Sequence, residues 1–209
     1  MLDNVEVFCQ STIKISCDLV LYFDPFKIEN ESHDADIIFI THDHFDHFDI
    51  NSILKIKKDD TFIVVPSTLE SDVKSYFERD KILVVEPNNS YLVKNISFKT
   101  VRAYNINKDF HPKNKNWVGY LVSINNINYY IMGDTDDTLD ARSVSADVLF
   151  IPIGGVYTMN YMEAVDFTNY VKPKVAVPIH YGDIVGNKED AINFISNLNS
   201  EIEGKILKK

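Results

Sequence analysis

Only two cysteines, Cys9 and Cys17, occur in the 209 residues. That excludes a disulfide-stapled scaffold, and a chain of this length buries roughly 70% of its unfolded surface without needing one. Basic side chains are also scarce: 21 Lys and Arg face 31 Asp and Glu, a formal charge of −10. This argues against a nucleic-acid groove held by a general basic field, because phosphate contacts come mainly from Lys and Arg. A nuclease whose metal ions supply the local positive charge is left open. No apolar run approaches the roughly 20 residues of a membrane span. The opening residues, Met1-Leu2-Asp3-Asn4-Val5-Glu6, lack the basic start of a secretion signal. There is no low-complexity linker and no internal repeat. The expectation is one domain over residues 1–209, cytoplasmic, with free thiols rather than a Cys9–Cys17 cross-link. Membrane and nucleic acid are set aside as partners, and nothing signals an oligomeric state.

What remains is an ordinary globular composition, 45% hydrophobic and 25% charged. Alternating or compact apolar runs predict strands over 5–9, 12–16, 19–23, 36–40, 61–65 and 81–85. Two more are expected within 91–104 around Lys94-Asn95, and two, 118–124 and 129–132, around the hairpin signal Asn125-Asn126. Buried strands follow at 146–151 and 174–179. Helical spacing marks 50–57, with Asp49 as N-cap, and also 69–78, 161–171 and 191–198. Asn160 and Glu163 have capping-box spacing. Strand-rich halves closed by helices suggest stacked sheets with helices outside, an α/β architecture.

The chemistry is concentrated in Thr41-His42-Asp43-His44-Phe45-Asp46-His47, at the end of the apolar run Ile37-Ile38-Phe39-Ile40. Imidazole nitrogen suits zinc, iron and related metals, and carboxylate oxygen completes the set. His42 and His44 are two apart, so in extended chain both point to one side. A turn at Phe45 lets Asp46 and His47 face a second position nearby. One loop can therefore serve two adjacent ions. The bland alternative is an exposed histidine-rich loop, against which stands this ordered H-x-H-x-D-H spacing.

These residues resemble the metallo-β-lactamase superfamily, and the likeness runs through nearly the whole chain. Gly133-Asp134-Thr135 resembles the family element whose aspartate bridges two metals. Pro178-Ile179-His180-Tyr181 resembles the element supplying the last histidine. Asp24, in Phe23-Asp24-Pro25, resembles the early aspartate that orients the metal-binding loop. Pro152-Ile153-Gly154-Gly155-Val156-Tyr157-Thr158 is most similar to the small UlaG-like branch, which holds metal-dependent hydrolases and an ascorbate-6-phosphate lactonase. The resemblance implies an αββα sandwich of two mixed β-sheets with helices on the outside. It also implies a metal set of His42, His44, Asp46, His47, Asp134 and His180. Read without it, Gly133-Asp134-Thr135 is an ordinary turn, His180 a core histidine and Asp24 a turn cap. Gly154-Gly155 lacks P-loop spacing and reads as a close approach of backbone to the site.

One departure stands out. Most family members with two metals carry a further histidine where this chain reads Val101-Arg102-Ala103-Tyr104-Asn105, so Asn105 stands in its place. Asparagine is a poor zinc ligand. His111, six residues on, is open to three readings: a ligand swinging in from the loop, an acid or anion binder in the pocket, or a surface residue. Asp136 is either a partner that fixes imidazole orientation or a solvated turn residue. Tyr104, Asn105, Trp117, Tyr157 and Tyr181 are candidate substrate contacts, the aromatics equally candidates for core. Lys113 lies in a locally basic loop, with Lys108 and Lys115, that can draw in an anion or simply be solvated.

The cofactor expected is zinc, one or two ions, with Mn2+ or Fe2+ also compatible. A cation held by such ligands yields hydroxide near neutral pH, which attacks a carbonyl or phosphoryl centre. Asp46 or Asp134 is the expected proton acceptor. The function expected is hydrolysis of a small anionic ester, lactone or phosphodiester. The alternative is a catalytically silent metal-binding protein used for ligand sensing or assembly, favoured by Asn105. Several relatives fit less well. Secreted β-lactamases need an export signal, and the diiron oxygen-reducing branch has glutamate where this chain has His44. Glyoxalase II-type enzymes have glycine where Phe48-Asp49 follow the motif. RNA-cutting members carry a further domain.

Overall fold

The computed structural model describes residues 1–208. One sheet holds β1 (Val5–Val7), β2 (Ile13–Ser16), β3 (Val20–Phe23), β4 (Ala35–Phe39), β5 (Lys57–Pro66) and β6 (Ile82–Val85), adjacent in chain order. The second holds β7 (Ser90–Val93), β8 (Ile96–Arg102), β9 (Val118–Ile124), β10 (Ile127–Ile131), β11 (Val148–Pro152), β12 (Val175–Ile179) and β13 (Glu203–Gly204), again in sequential order. β1 to β3 pair antiparallel and β3 to β6 parallel. β7 to β10 pair antiparallel and β10 to β13 parallel. Each sheet thus has a hairpin half and a crossover half. Parallel strands need such crossovers, and they carry α1 (Ile50–Ile56), α2 (Glu70–Val73), α3 (Leu139–Arg142), α4 (Tyr161–Val171) and α5 (Lys188–Ser196).

Side-chain alternation along the strands builds three apolar layers. Between the sheets, Ile13, Ile15, Leu21, Phe23, Ile37 and Phe39 meet Tyr120, Val122, Ile131, Phe150 and Val177. Phe23 and Phe39 stack with ring centroids 4.8 Å apart, and Tyr120 packs edge-on to Phe39. The opposite face of the first sheet presents Tyr22, Ile38 and Ile63 to Ile53 and Ile56 of α1. The opposite face of the second presents Tyr130, Leu149 and Ala176 to Phe167 of α4 and Phe194 of α5. The result is the αββα sandwich of two mixed sheets expected from the sequence.

Local signals act as their chemistry requires. Asp49 accepts from the Asn51 N–H at the start of α1, and Asn160 with Glu163 closes a capping box on α4. Lys94-Asn95 and Asn125-Asn126 take positive φ at both positions, as tight hairpins need. Several elements differ from the sequence expectation: α3 (Leu139–Arg142) has no counterpart in it, and β5 starts at Lys57 rather than at 61. The helix expected over 69–78 is α only at Glu70–Val73, after a 3-10 turn. The last helix begins at Lys188, not at 191, because Asn187 and Asp190 form a second capping box. The short β13 carries no strand signal. No helix among the described residues is long and apolar enough to cross a membrane.

The carboxyl ends of β3, β4, β10 and β12 meet at one end of the sandwich, where ligands of parallel sheets gather. Two backbone bonds stitch the sheets together there: Val118 N–H to the Thr41 carbonyl at 3.2 Å, and His180 N–H to the Gln10 carbonyl at 2.9 Å.

Candidate metal centre

β4 delivers the histidine motif, and β3 beside it delivers Asp24. The Asp24 carboxylate is fully buried. One oxygen accepts the Thr41 N–H at 2.8 Å; the other accepts the Thr41 hydroxyl and His47 Nδ1, each at 2.7 Å. Since the Thr41 hydroxyl gives its one proton to Asp24, it accepts from His42 Nδ1 at 2.9 Å. Both rings therefore carry their proton on Nδ1 and present an Nε2 lone pair. Such buried outer partners are how metal-ligating imidazoles are oriented.

Asp134, after β10, faces those rings. Its oxygens lie 3.4 Å from His47 Nε2, 3.0 Å from His180 Nε2 and 3.3 Å from His111 Nε2. Asp46 approaches His180 Nε2 at 3.5 Å and His47 Nε2 at 3.7 Å. Three ligand groups converge: His42, His44 and His111; His42, His47 and Asp134; Asp46, His47 and His180. In each, the donor atoms lie within 4.8 Å of one another. His42 Nε2, His47 Nε2, His111 Nε2 and one Asp134 oxygen are buried with no good hydrogen bond. Buried polar atoms are normally satisfied, so this constellation of orphaned lone pairs fits a cation between them.

Without a cation, protons take its place. Burial alone pushes imidazole pKa values down. At His180 the carboxylates of Asp134 and Asp46 outweigh it and lift the ring to about 9. At His47, Asp134 and Asp24 also overcome burial and hold the ring well above the usual value. His42 lacks such a carboxylate excess, and burial with the neighbouring His47 holds it well below. Burial opposes ionisation of Asp46, yet the His180 hydrogen bond and His47 charge hold it at about 2. Asp134 is held well below the carboxylate range by His180 and His47, against its burial.

A family profile described as a beta-lactamase superfamily domain matches residues 10–180. A protein of Methanosphaera stadtmanae called a UPF0173 metal-dependent hydrolase is 26% identical, over 96% of this chain and 93% of its own length. Among solved structures, a metal-dependent hydrolase of Parabacteroides distasonis superposes with TM-score 0.81 at 25% identity, covering 98% of this chain and 93% of that one. Igni18, a metallo hydrolase of Ignicoccus hospitalis, gives TM-score 0.80 at 19% identity, covering 98% and 94%. The chain belongs to the metallo-β-lactamase superfamily. It is a metal-dependent hydrolase of that superfamily.

The metallo-β-lactamase motif residues are brought together; several expected neighbours are not. His111 is buried, not a surface residue, and reaches the cluster from the loop after β8. Asn105 lies behind it, its amide 3.2 Å from His111 Nδ1 and donating to the Tyr157 carbonyl at 2.7 Å. Its amide is directed at His111 and at the Tyr157 backbone. Asp136 touches no histidine: its carboxylate takes Lys108 Nζ and the Ile106 N–H, pinning the 104–111 loop. Trp117 is buried against His42, His44 and His111, with Nε1 bonded to Thr68. Its ring, 3% exposed, lies behind the three histidines. Tyr181 sits in the core under α5, and Tyr104 bonds Asp140 through its hydroxyl. Lys113 lies over the Tyr104 ring, 4.6 Å from its centroid, outside the metal cavity. Of the expected pocket residues only Tyr157 lines that cavity, about 350 Å³ in volume and floored by His44, His111, Asp134 and His180. A larger cleft, about 850 Å³, lies on the outer face of β7–β9, away from the histidines.

Gln10 joins the site without any sequence signal. It is fully buried; its amide donates to Asp46 at 3.0 Å and lies 3.3 Å from His180 Nε2. Glutamine in a short polar turn carries no motif, so only the fold reveals it. Gln10, Asp24, His111 and His180 all take left-handed backbone, φ +44 to +59. Such conformations concentrate at functional sites. Gly154 allows this packing: a Cβ there would lie 2.7 Å from the His180 carbonyl and 2.9 Å from His180 Nδ1.

Proposed function

We propose that the protein is a two-zinc hydrolase of small esters, lactones or phosphodiesters that develop negative charge at the reacting centre. His42, His44 and His111 would hold one ion and Asp46, His47 and His180 the other, with Asp134 between them. The observation that carries this reading is the set of buried, unpartnered Nε2 atoms turned toward Asp134. Five imidazoles and two carboxylates suit zinc, and Mn2+ or Fe2+ less closely. When bound, such cations supply hydroxide at neutral pH and polarise the substrate oxygen.

The chain's own residues do the rest. Asp24 holds His47 directly and His42 through Thr41. Gln10 holds Asp46. Asp46 or Asp134, both ionised, would accept the proton released at the site. Trp117 excludes water behind the rings. Negative charge on the substrate would be met by the ions, since no Lys or Arg among the described residues lines the cavity. The unpaired thiols of Cys9 and Cys17 suit a reducing compartment such as the cytoplasm.

One contact favours a second reading of His111. If the Asn105 amide donates to Nδ1 as well as to the Tyr157 carbonyl, the ring proton sits on Nε2. His111 is then a hydrogen-bond donor toward Asp134 and the leaving group, and the enzyme has one tightly held ion. Elemental mass spectrometry on the wild type and on His111→Ala decides. Two ions per chain falling to one support the two-zinc reading; one ion in both proteins supports the second; no metal in either, after zinc loading, overturns both.

A further inference from the structure

The cavity over the cluster is chemically two-sided. Its floor is imidazole and carboxylate. Its walls come from separate loops: Phe45 in the motif, Phe110 and Tyr157 packed edge-on at 4.6 Å, and Ile184 after β12. Phe45 is 69% exposed, Phe110 46% and Ile184 39%. Large apolar side chains converging on one opening leave a contiguous apolar surface in water, which marks a binding site. No Lys or Arg lines it among the described residues, and Asp43 adds negative charge at the rim. The loop lysines are committed elsewhere: Lys108 to Asp136, Lys113 over Tyr104, Lys115 over Trp117.

We propose that the substrate carries an apolar substituent, an aryl or branched alkyl group, that lies between Phe45, Phe110, Tyr157 and Ile184 while its reacting centre sits over the histidines. This rests on the hydrolase reading above and adds the substrate class. A cavity of about 350 Å³ lies near the small end of ligand pockets, so it takes one ring or a short branched chain beside the reacting group. A second anionic group on the substrate would lose its hydration against these walls and find no partner.

The test is calorimetric titration of the zinc-loaded full chain with four carboxylates that mimic acyl products: acetate, 3-methylbutanoate, phenylacetate and succinate. Phenylacetate and 3-methylbutanoate are expected to bind about tenfold or more tighter than acetate, from apolar burial, and succinate no tighter than acetate. The phenylacetate-to-acetate ratio should fall at least threefold in Phe110→Ala and, on a separate loop, in Ile184→Ala. Equal affinities, a preference for succinate, no binding of any of the four, or a wild-type ratio in both variants would overturn the proposal. Hydrolysis of ethyl phenylacetate is followed in parallel. Tight phenylacetate binding without hydrolysis of any aryl- or alkyl-bearing ester, lactone or phosphodiester would refute the hydrolase reading and leave the apolar wall standing. Hydrolysis of acetate and phenylacetate esters at equal efficiency would do the reverse.

Discussion

Asp24→Asn keeps the shape of the side chain and inverts one function. Asn tolerates the left-handed backbone that Asp24 adopts, φ +44, so the turn itself is not strained. Three donors face the carboxylate: Thr41 N–H, Thr41 hydroxyl and His47 Nδ1. An amide oxygen placed on the Thr41 N–H leaves an NH2 facing the other two. Thr41 then accepts from the introduced amide and turns its hydroxyl proton toward His42 Nδ1, while His47 Nδ1 must accept as well. Both rings move their proton to Nε2, the atom they offer a metal. Loss of one outer partner costs about 10–100-fold in metal affinity. Because His42 and His47 serve different ions, each of the two ions should be weakened by about 10–100-fold. Where His47 instead keeps its Nδ1 proton, as metal binding through Nε2 requires, that buried donor faces the NH2 and costs about 1–3 kcal/mol. Zinc affinity is read by competition with a chromophoric chelator, and the fold of the metal-free variant by circular dichroism. A folded Asp24→Asn protein with zinc affinity within threefold of wild type would refute the tautomer argument.

Three further outcomes follow from the same geometry. Gln10→Leu, which keeps the bulk and removes the donor to Asp46, should weaken the ion held by Asp46, His47 and His180 about tenfold. The other ion should be spared; cobalt substitution would show one absorption component altered, and two equal losses would contradict this. In metal-free protein, His180 titrates near 9 rather than 6.5. Its contribution to stability is therefore complete below about pH 6.5 and lost as pH rises through about 9. Asp46, held at about 2 against 3.8, acts in the opposite sense and loses its contribution only as pH falls below the ordinary carboxylate range. The melting temperature of chelated protein should fall by several degrees between about pH 6.5 and 9.5, and that of zinc-loaded protein should not; parallel curves would contradict the proton-for-metal exchange. Gly154→Ala should lower metal content with the sheets intact, since its Cβ would press on His180; wild-type metal content in that variant would count against the close approach.

Much of this protein is written in local chemistry. Thr41 to His47, Gly133-Asp134-Thr135 and His180 are legible as a metal set because ligand type and spacing are sequence properties, and the strand ends that present them show as apolar runs stopping at polar residues. Asn160 with Glu163, Asp49, and the Asn-Asn hairpin are equally local. The helix over 69–78 is shorter than its periodicity suggests, because periodicity does not say where the sheet stops supporting it. The role of Asp24 is readable only by resemblance; that it commands His42 through Thr41 depends on β3 and β4 lying side by side. Gln10 sits 36 residues before Asp46 and 170 before His180, and only the stacking of two sheets brings the three together. His111 has three readings in the sequence because a loop's course is set by what pins it, here Asp136, Asn105 and Lys108. The lysines that look like an anion trap are spent on neighbours the sequence does not show. Residue types and their order along the chain determined which chemistry is available; the packing of the sheets decided which of those groups share a site, because contact across long stretches of chain is a property of the fold alone.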